Sequence, residues 1–242
     1  MIVNGRGKPL RAVLFDAGNT LVFLDYARLA SEVGAVLDLP LTGPGLVQHV
    51  PYATEAMERA SGNDQDRAAT YLETLFLRAG VPSHRLGEVR VCLGRMHRER
   101  HLWSSVAERS AEALARLQAA GVRLGVVSNS DGRVEHALEA AGLRCYFDVV
   151  IDSALVGVEK PDPRIFQAAL DQLGVEPDEA LYVGDLYQVD VVGARAAGIE
   201  AVLLGEGQEG DPECRWVRSI EDLVNQLLSG EMLVRPISQK GA

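Results

Sequence analysis

RAVLFDAGNTL, Arg11 to Leu21, is the stretch on which the reading of this chain turns. Ala12-Val13-Leu14-Phe15 is a short, unbroken apolar run, the pattern of a strand covered on both faces in a parallel sheet. It stops at Asp16, and Ala17-Gly18-Asn19-Thr20 follows at once as a turn. A carboxylate at the carboxyl end of a buried strand sits where open α/β sheets hold their ligands. Taken alone, the same Asp is as readily the opener of a turn. Later segments decide between the two.

Working outward, the 242 residues suit one large domain, or a domain carrying a smaller insertion. Hydrophobic residues make up 47%, enough for a sizeable core. The net charge of −10 argues against nucleic acid as a partner, because its phosphates demand a basic face. Acidity does not exclude an anionic substrate, since a bound metal ion reverses the local field. Cys92, Cys145 and Cys214 are scattered without a CxxC pair, which predicts reduced thiols packed as small hydrophobes and a cytoplasmic protein. The polar, glycine-rich start does not read as a signal peptide. No run approaches the roughly 18 to 20 apolar residues of a membrane span.

Beyond the first strand, Phe23 to Val106 is rich in Ala, Leu, Glu and Arg, and broken at Pro40, Gly43-Pro44-Gly45, Gly62-Asn63 and Pro82. This predicts four or five helices with no strand between them. Some 85 residues of helix are too many for one crossover between neighbouring parallel strands, so an inserted helical subdomain over 23–106 is the economical reading. From Ala107 strand and helix alternate: helix 107–120, strand 123–127, helix 134–141, a strand near 149–151, helix 165–173, strand 180–183, helix 190–197 and strand 201–204. A last helix opens at Ser219, whose spacing to Asp222 resembles a capping box. The expectation is an α/β fold: a doubly wound parallel sheet from 1–22 and 107–242, with an all-helical cap inserted.

Polar groups fall just after the strands or at helix starts: Asp16, Ser128-Asn129, Lys160, and Asp185 with Asp190. Right-handed crossovers bring strand ends to one edge of the sheet, so these groups converge despite their separation in sequence. Two acids held close repel unless a cation lies between them, and an all-oxygen donor set favours Mg²⁺. The Ser128 hydroxyl and the helix start after it predict a phosphate cradle. Lys160 brings a point charge for a carboxylate or a phosphoryl oxygen.

At these residues the chain resembles the haloacid dehalogenase-like hydrolase superfamily. Asp16-Ala17-Gly18-Asn19-Thr20 is similar to its first motif, DxDxT; Val126-Val127-Ser128-Asn129 to its second; Lys160-Pro161-Asp162-Pro163 to its third; and Gly184-Asp185-Leu186-Tyr187-Gln188-Val189-Asp190 to its fourth. The resemblance implies a Rossmann-like core and a mobile helical cap. Asp16 would be the nucleophile, forming an aspartyl-phosphate and giving its other oxygen to Mg²⁺. The Gly18 carbonyl and the Asp185 carboxylate would complete the protein's metal ligands. Thr20, Ser128 and Asn129 would hold the phosphoryl group or the turn around it. Lys160 would orient Asp16 and offset charge in the transition state. Asp190 would hold Lys160 or a metal-bound water.

One departure matters. The family's phosphatases usually carry a second Asp two positions after the nucleophile, as acid and then base, and here that position is Gly18. The carbonyl keeps its metal role, but the proton-transfer group is gone. The resemblance therefore implies a Mg²⁺-dependent phosphatase acting on a small phosphorylated metabolite, slow on alkyl esters. Its alternatives are a dehalogenase or a phosphonate-cleaving hydrolase, both of which lack that Asp, or a catalytically weak binding protein. Asp185 favours the metal-dependent branch, and Lys8, Lys160 and Lys240 leave the cap without the lysine a phosphonate cleaver wants.

The cap offers further candidates. His97 and His101 lie four apart on a helix that also carries Arg90, Arg95, Arg98 and Arg100, so a solvated basic face is the simpler reading. Asp25, Tyr26, His49, Tyr52 and Tyr71 are equally eligible to reach a leaving group. Tyr187 and Gln188 are candidates for substrate contact or for the rim. Trp103 and Trp216 are expected to pack against the core domain.

Overall fold

The computed structural model describes residues 2–3, 7–62, 64–205 and 214–230. It divides into two units, Met1–Phe23 with Val106–Ala242, and Leu24–Ser105. The chain opens with strand β1 (Ala12–Phe15) and a short β2 (Val22–Leu24). Five helices follow: α1 (Tyr26–Leu37), α2 (Gly43–Val47), α3 (Val50–Arg59), α4 (Asp64–Arg78) and α5 (Leu86–Glu99). After β3 (Trp103–Val106) come α6 (Ser110–Ala119), β4 (Arg123–Ser128), α7 (Val134–Ala140) and β5 (Val149–Asp152). Then come α8 (Ser153–Val156), α9 (Pro163–Leu173), β6 (Ala180–Gly184), α10 (Val192–Ala196), β7 (Glu200–Leu204), β8 (Arg215–Val217) and α11 (Ile220–Ser229).

The larger unit is an α/β fold. Six parallel strands lie in the order β5-β4-β1-β6-β7-β8, with helices over the sheet. Numbered within that sheet alone, the order is 3-2-1-4-5-6, the doubly wound arrangement in which winding reverses between the first and fourth strands. The reversal therefore falls between β1 and β6. Every residue of β1 is buried, as a strand flanked on both faces must be. Ala12 and Leu14 join Val127, Ile165, Phe166, Leu170 and Tyr182 in one apolar cluster. Strand alternation turns Val13 and Phe15 the other way, where Phe15 meets the edge of the Phe147 ring, centroids 6.2 Å apart. Gly125 is required by closeness: a Cβ there would sit 2.7 Å from both Leu14 Cδ2 and Val149 Cγ1.

The smaller unit has its own core, in which Val33, Leu37, Leu46, Leu75, Phe76, Val89 and Met96 pack together. Asp25 caps α1 by accepting the Arg28 N–H at 3.0 Å. Strands were not expected anywhere in 23–106, yet the pair β2 and β3 occupies its two ends. Val22-Phe23-Leu24 and Trp103 to Val106 carry the aromatic and β-branched residues that favour strands, in runs too short to register as a period.

Other local expectations need correction. Helix 190–197 begins as a wider turn at Tyr187, whose carbonyl accepts from the Val192 N–H. At the last helix Ser219 Oγ accepts the Asp222 N–H at 3.0 Å, but the returning carboxylate takes the Arg218 N–H at 3.2 Å, so only half of a capping box forms. Trp103 packs against the apolar cluster of Leu24–Ser105, and Trp216 is exposed on the edge strand β8. Cys92 and Cys214 are buried free thiols, whereas Cys145 is exposed. Among the described residues no helix is long and apolar enough to cross a membrane.

Candidate active site

Strand register assembles the site. Phe15 stands opposite Val126 of β4 and Val183 of β6, so Asp16, Ser128 and Asp185 all emerge at the carboxyl edge, beside the reversal of winding. The Asp16 N–H is held by the Val183 carbonyl at 2.8 Å. The turn beyond it is wound tightly on one oxygen. The Ala17 carbonyl accepts from Thr20, Leu21 and Val22, with Asn19 in the left-handed region at φ 53°. Those bonds leave the Gly18 carbonyl out. Thr20 Oγ1 is buried and, among the described residues, has no hydrogen-bond partner.

Lys160 reaches this edge from the loop before α9. Its ammonium is buried and donates to Asp16 Oδ1 at 2.5 Å, to Asp190 Oδ1 at 2.7 Å and to the Tyr182 hydroxyl at 2.9 Å. Three N–H groups thus meet three oxygens. Asp190 comes close because position 184 is glycine; a Cβ there would stand 2.3 Å from Asp190 Cγ. The second oxygen of Asp190 accepts the Leu186 N–H at 2.9 Å. Asn129 grips the Lys160 backbone reciprocally: its Oδ1 accepts the Lys160 N–H at 2.8 Å and its Nδ2 donates to the Lys160 carbonyl at 3.1 Å.

Oxygens of Asp16, Asp185 and Asp190 lie within 4.8 Å of one another. Three carboxylates face one ammonium, leaving two negative charges without a partner. Burial pushes Asp16 up to about 7, and the Asp190 charge adds to this while Lys160 opposes it. Asp185 is also pushed well up, first by burial and then by the charges of Asp16 and Asp190. Lys160 moves the other way from a buried amine. Burial pulls it down, but Asp16 and Asp190 together outweigh that and hold it charged. A hard divalent cation fits this donor set: the ligands are all oxygen, and the unbalanced charge is of its magnitude.

The expected phosphate cradle is only partly present. Ser128 lies buried at the end of β4, its hydroxyl 3.4 Å from the Asn129 carbonyl. Among the amides after it, however, those of Ser130, Gly132 and Val134 are taken. Asp152 Oδ1 accepts from Gly132 N–H at 3.0 Å and from Ala154 N–H at 3.0 Å, and Oδ2 accepts from Val134 N–H at 3.2 Å. Ser153 Oγ accepts the Ser130 N–H at 3.0 Å and donates to the Ser130 carbonyl at 3.2 Å. The helix start therefore does not present these N–H groups to a ligand. An Asp-Ser pair closing the VVI run of β5 was the available signal.

Tyr182 was also missed. A tyrosine inside the strand ALYVG must find a partner for its hydroxyl, and that requirement was the clue. In the smaller unit, the rings of His97 and His101 are 4.5 Å apart, and Leu102 N–H reaches His97 Nδ1 at 3.4 Å. Arg90, Arg95 and Arg100 pair with Glu73, Glu32 and Asp25, so the basic face is largely neutralised. Tyr26 and Tyr71 share a hydrogen bond at 2.8 Å, and Tyr52 lies under the Arg78 guanidinium at 4.4 Å, beside His49. In the larger unit, Tyr187 is half-buried against the apolar cluster and Gln188 is exposed.

A family model described as haloacid dehalogenase-like hydrolase matches residues 10–198. The chain is 36% identical over 165 residues to a phosphoserine phosphatase of Thermus thermophilus, covering 67% of this chain and 64% of that one. It is 30% identical over 201 residues to a glyceraldehyde 3-phosphate phosphatase of Methanothermobacter thermautotrophicus, covering 81% and 85%. Higher identity is found over shorter stretches, where the chain spans well under half of the length of the curated relatives it matches. The solved structure of a HAD-hydrolase of Bacillus subtilis, YfnB, superposes with a TM-score of 0.66 at 19% identity, over 91% of this chain and 100% of that one.

Proposed function

The chain belongs to the haloacid dehalogenase-like hydrolases, and from that premise we propose that it is a phosphoric monoester hydrolase: a Mg²⁺-dependent phosphatase of small phosphorylated metabolites, working through an aspartyl-phosphate on Asp16. The observation that carries this reading is the buried excess of carboxylate around one ammonium at the sheet's reversal point. A site that cleaved a carbon–halogen bond without metal would have no use for that charge. Asp16, Asp185 and the Gly18 carbonyl would hold Mg²⁺, which when bound withdraws charge from the phosphoryl oxygens and keeps Asp16 ionised.

The protein's own groups then divide the work. An Asp16 carboxylate oxygen attacks phosphorus and the bond to the leaving oxygen breaks. Water then attacks the same phosphorus, the bond to Asp16 breaks, and phosphate leaves with the carboxylate restored. Lys160 fixes the direction of Asp16 and offsets negative charge as it builds on the phosphoryl group. The buried Thr20 and Ser128 hydroxyls give that group neutral donors. Asn129 acts through the Lys160 backbone that it grips, and Asp190 through the ammonium. With Gly18 in place of an acid, the leaving group departs without a proton from that position. Residues 24–105 are proposed to act as the mobile cap, and the free cysteines support a reducing, cytoplasmic setting.

The test is a panel of phosphomonoesters, hydroxy-acid and sugar phosphates included, assayed with and without Mg²⁺. Asp16→Asn, which keeps the size of the side chain, should be silent on every member. One turnover in ¹⁸O-water should place label in phosphate and none in Asp16. Full turnover in excess chelator, or label retained on Asp16, would overturn the reading in favour of carbon–halogen cleavage.

A further inference from the structure

We propose that Tyr182 is a positioning residue of this site, acting as the third oxygen around the Lys160 ammonium so that one N–H of Lys160 is aimed at Asp16. The inference rests on the phosphatase reading above and deepens it. Lys160 has three N–H donors, and in a buried place each needs an acceptor. Two are carboxylates, Asp16 at 2.5 Å and Asp190 at 2.7 Å, and the third is the Tyr182 hydroxyl at 2.9 Å. Tetrahedral nitrogen with two directions fixed has its third fixed as well, so the hydroxyl sets the rotation of the whole head group.

The hydroxyl is itself over-determined. Having accepted from Lys160, its one proton faces Asp190 Oδ1 at 3.0 Å and the Val127 carbonyl at 3.2 Å. Val127 directly precedes Ser128 on β4, while Tyr182 lies on β6, so one oxygen ties the two strands that flank β1. The ring is clamped by Phe166, edge to face with centroids 4.9 Å apart. A phenylalanine at 182 would keep that clamp but leave one buried N–H of Lys160 without an acceptor. The ammonium would then turn toward its carboxylates, and Asp16 would lose its fixed line of approach.

The experiment compares Tyr182→Phe, Phe166→Leu and Lys160→Ala, alone and with Tyr182→Phe, using a phosphomonoester that wild type hydrolyses in Mg²⁺. Tyr182→Phe should lower kcat by roughly 10- to 100-fold, the scale of a small misplacement of a reacting group, with KM unchanged. In the Lys160→Ala background the same change should cost nothing more, because the hydroxyl acts through the lysine. Phe166→Leu keeps the hydroxyl but removes the ring that clamps it; it should lower the melting temperature and lower kcat by less than Tyr182→Phe does. If Tyr182→Phe does not fold, 4-aminophenylalanine at 182 keeps a polar atom at the same point and should give an intermediate fall in kcat at unchanged KM. Equal kcat in wild type and Tyr182→Phe, or an equal loss with and without Lys160, would overturn the proposal. Should wild type itself hydrolyse no phosphomonoester, the phosphatase reading falls instead.

Discussion

At the scale of the residue, the proposed function makes Gly18 the position that decides which leaving groups this site releases. It is absent from the left-handed residues of the chain, so a side chain there meets no backbone strain. General acid–base catalysis is typically worth about 10²–10⁴ in rate. Wild type should therefore favour acyl phosphates and nitrophenyl phosphate over alkyl esters, with a rate that depends steeply on leaving-group pKa. Gly18→Asp should raise turnover of alkyl esters by ~10-fold or more and of aryl esters by less. Equal rates on alkyl and aryl esters in wild type, with chemistry limiting, would mean that another side chain supplies the proton, and Asp25, His97 and His101 would be tested next. The same scale separates what could be read in advance from what could not. Asp16, Lys160, Asp185 and Asp190 were legible because charged groups at strand ends have few bland explanations. Tyr182 was not, because an apolar-looking strand hides a hydroxyl whose partner lies 22 positions away in the chain.

Among elements, the loop between β4 and α7 is held by a neighbour rather than by a ligand. Asp152 at the end of β5 accepts the Gly132 and Val134 amides, and Ser153 at the start of α8 makes two bonds to Ser130. Asp152→Ala leaves buried N–H groups unpaired at about 1–3 kcal/mol, so thermal unfolding should begin several degrees lower. Because this loop follows Ser128 and Asn129 directly, KM for the phosphoryl substrate should rise more than kcat falls. A variant with wild-type KM would show that the loop keeps its shape without the staple. The alternation of strands and helices was legible as a period, which is why the order of the sheet follows from it. The strand β8, the short α8 and the pair β2 and β3 were not, since three or four residues carry too little pattern to separate from loop.

For the whole molecule, the buried charge couples fold stability to pH and metal. Asp16 stands at about 7 in the folded protein against an ordinary 3.8, and Asp185 is shifted in the same direction. Between those values the folded state keeps a proton that the unfolded chain has released, so metal-free protein should lose stability as pH rises from about 4 to 7. Under the proposed function Mg²⁺ would bind the ionised carboxylates, and it should stabilise more at pH 7.5 than at pH 5. Melting curves at both pH values, with and without Mg²⁺, check this; a metal-free melting temperature that rises over the interval would contradict the charge assignment.

The place of β1 also governs the order in which the molecule comes into being. Asp16 is made early and Lys160, which pairs with it, 144 positions later, with all of Leu24–Ser105 synthesised between them. A helical stretch with its own apolar cluster closes local loops quickly, whereas β1 must wait for both of its partners, β4 and β6. In refolding followed by pulsed hydrogen exchange, amides of 24–105 should gain protection before those of Ala12–Phe15. A chain stopped short of β6 would carry Asp16 and Lys160 together without Tyr182, Asp185 and Asp190, so a half-made copy would hold an unfinished cluster of charge.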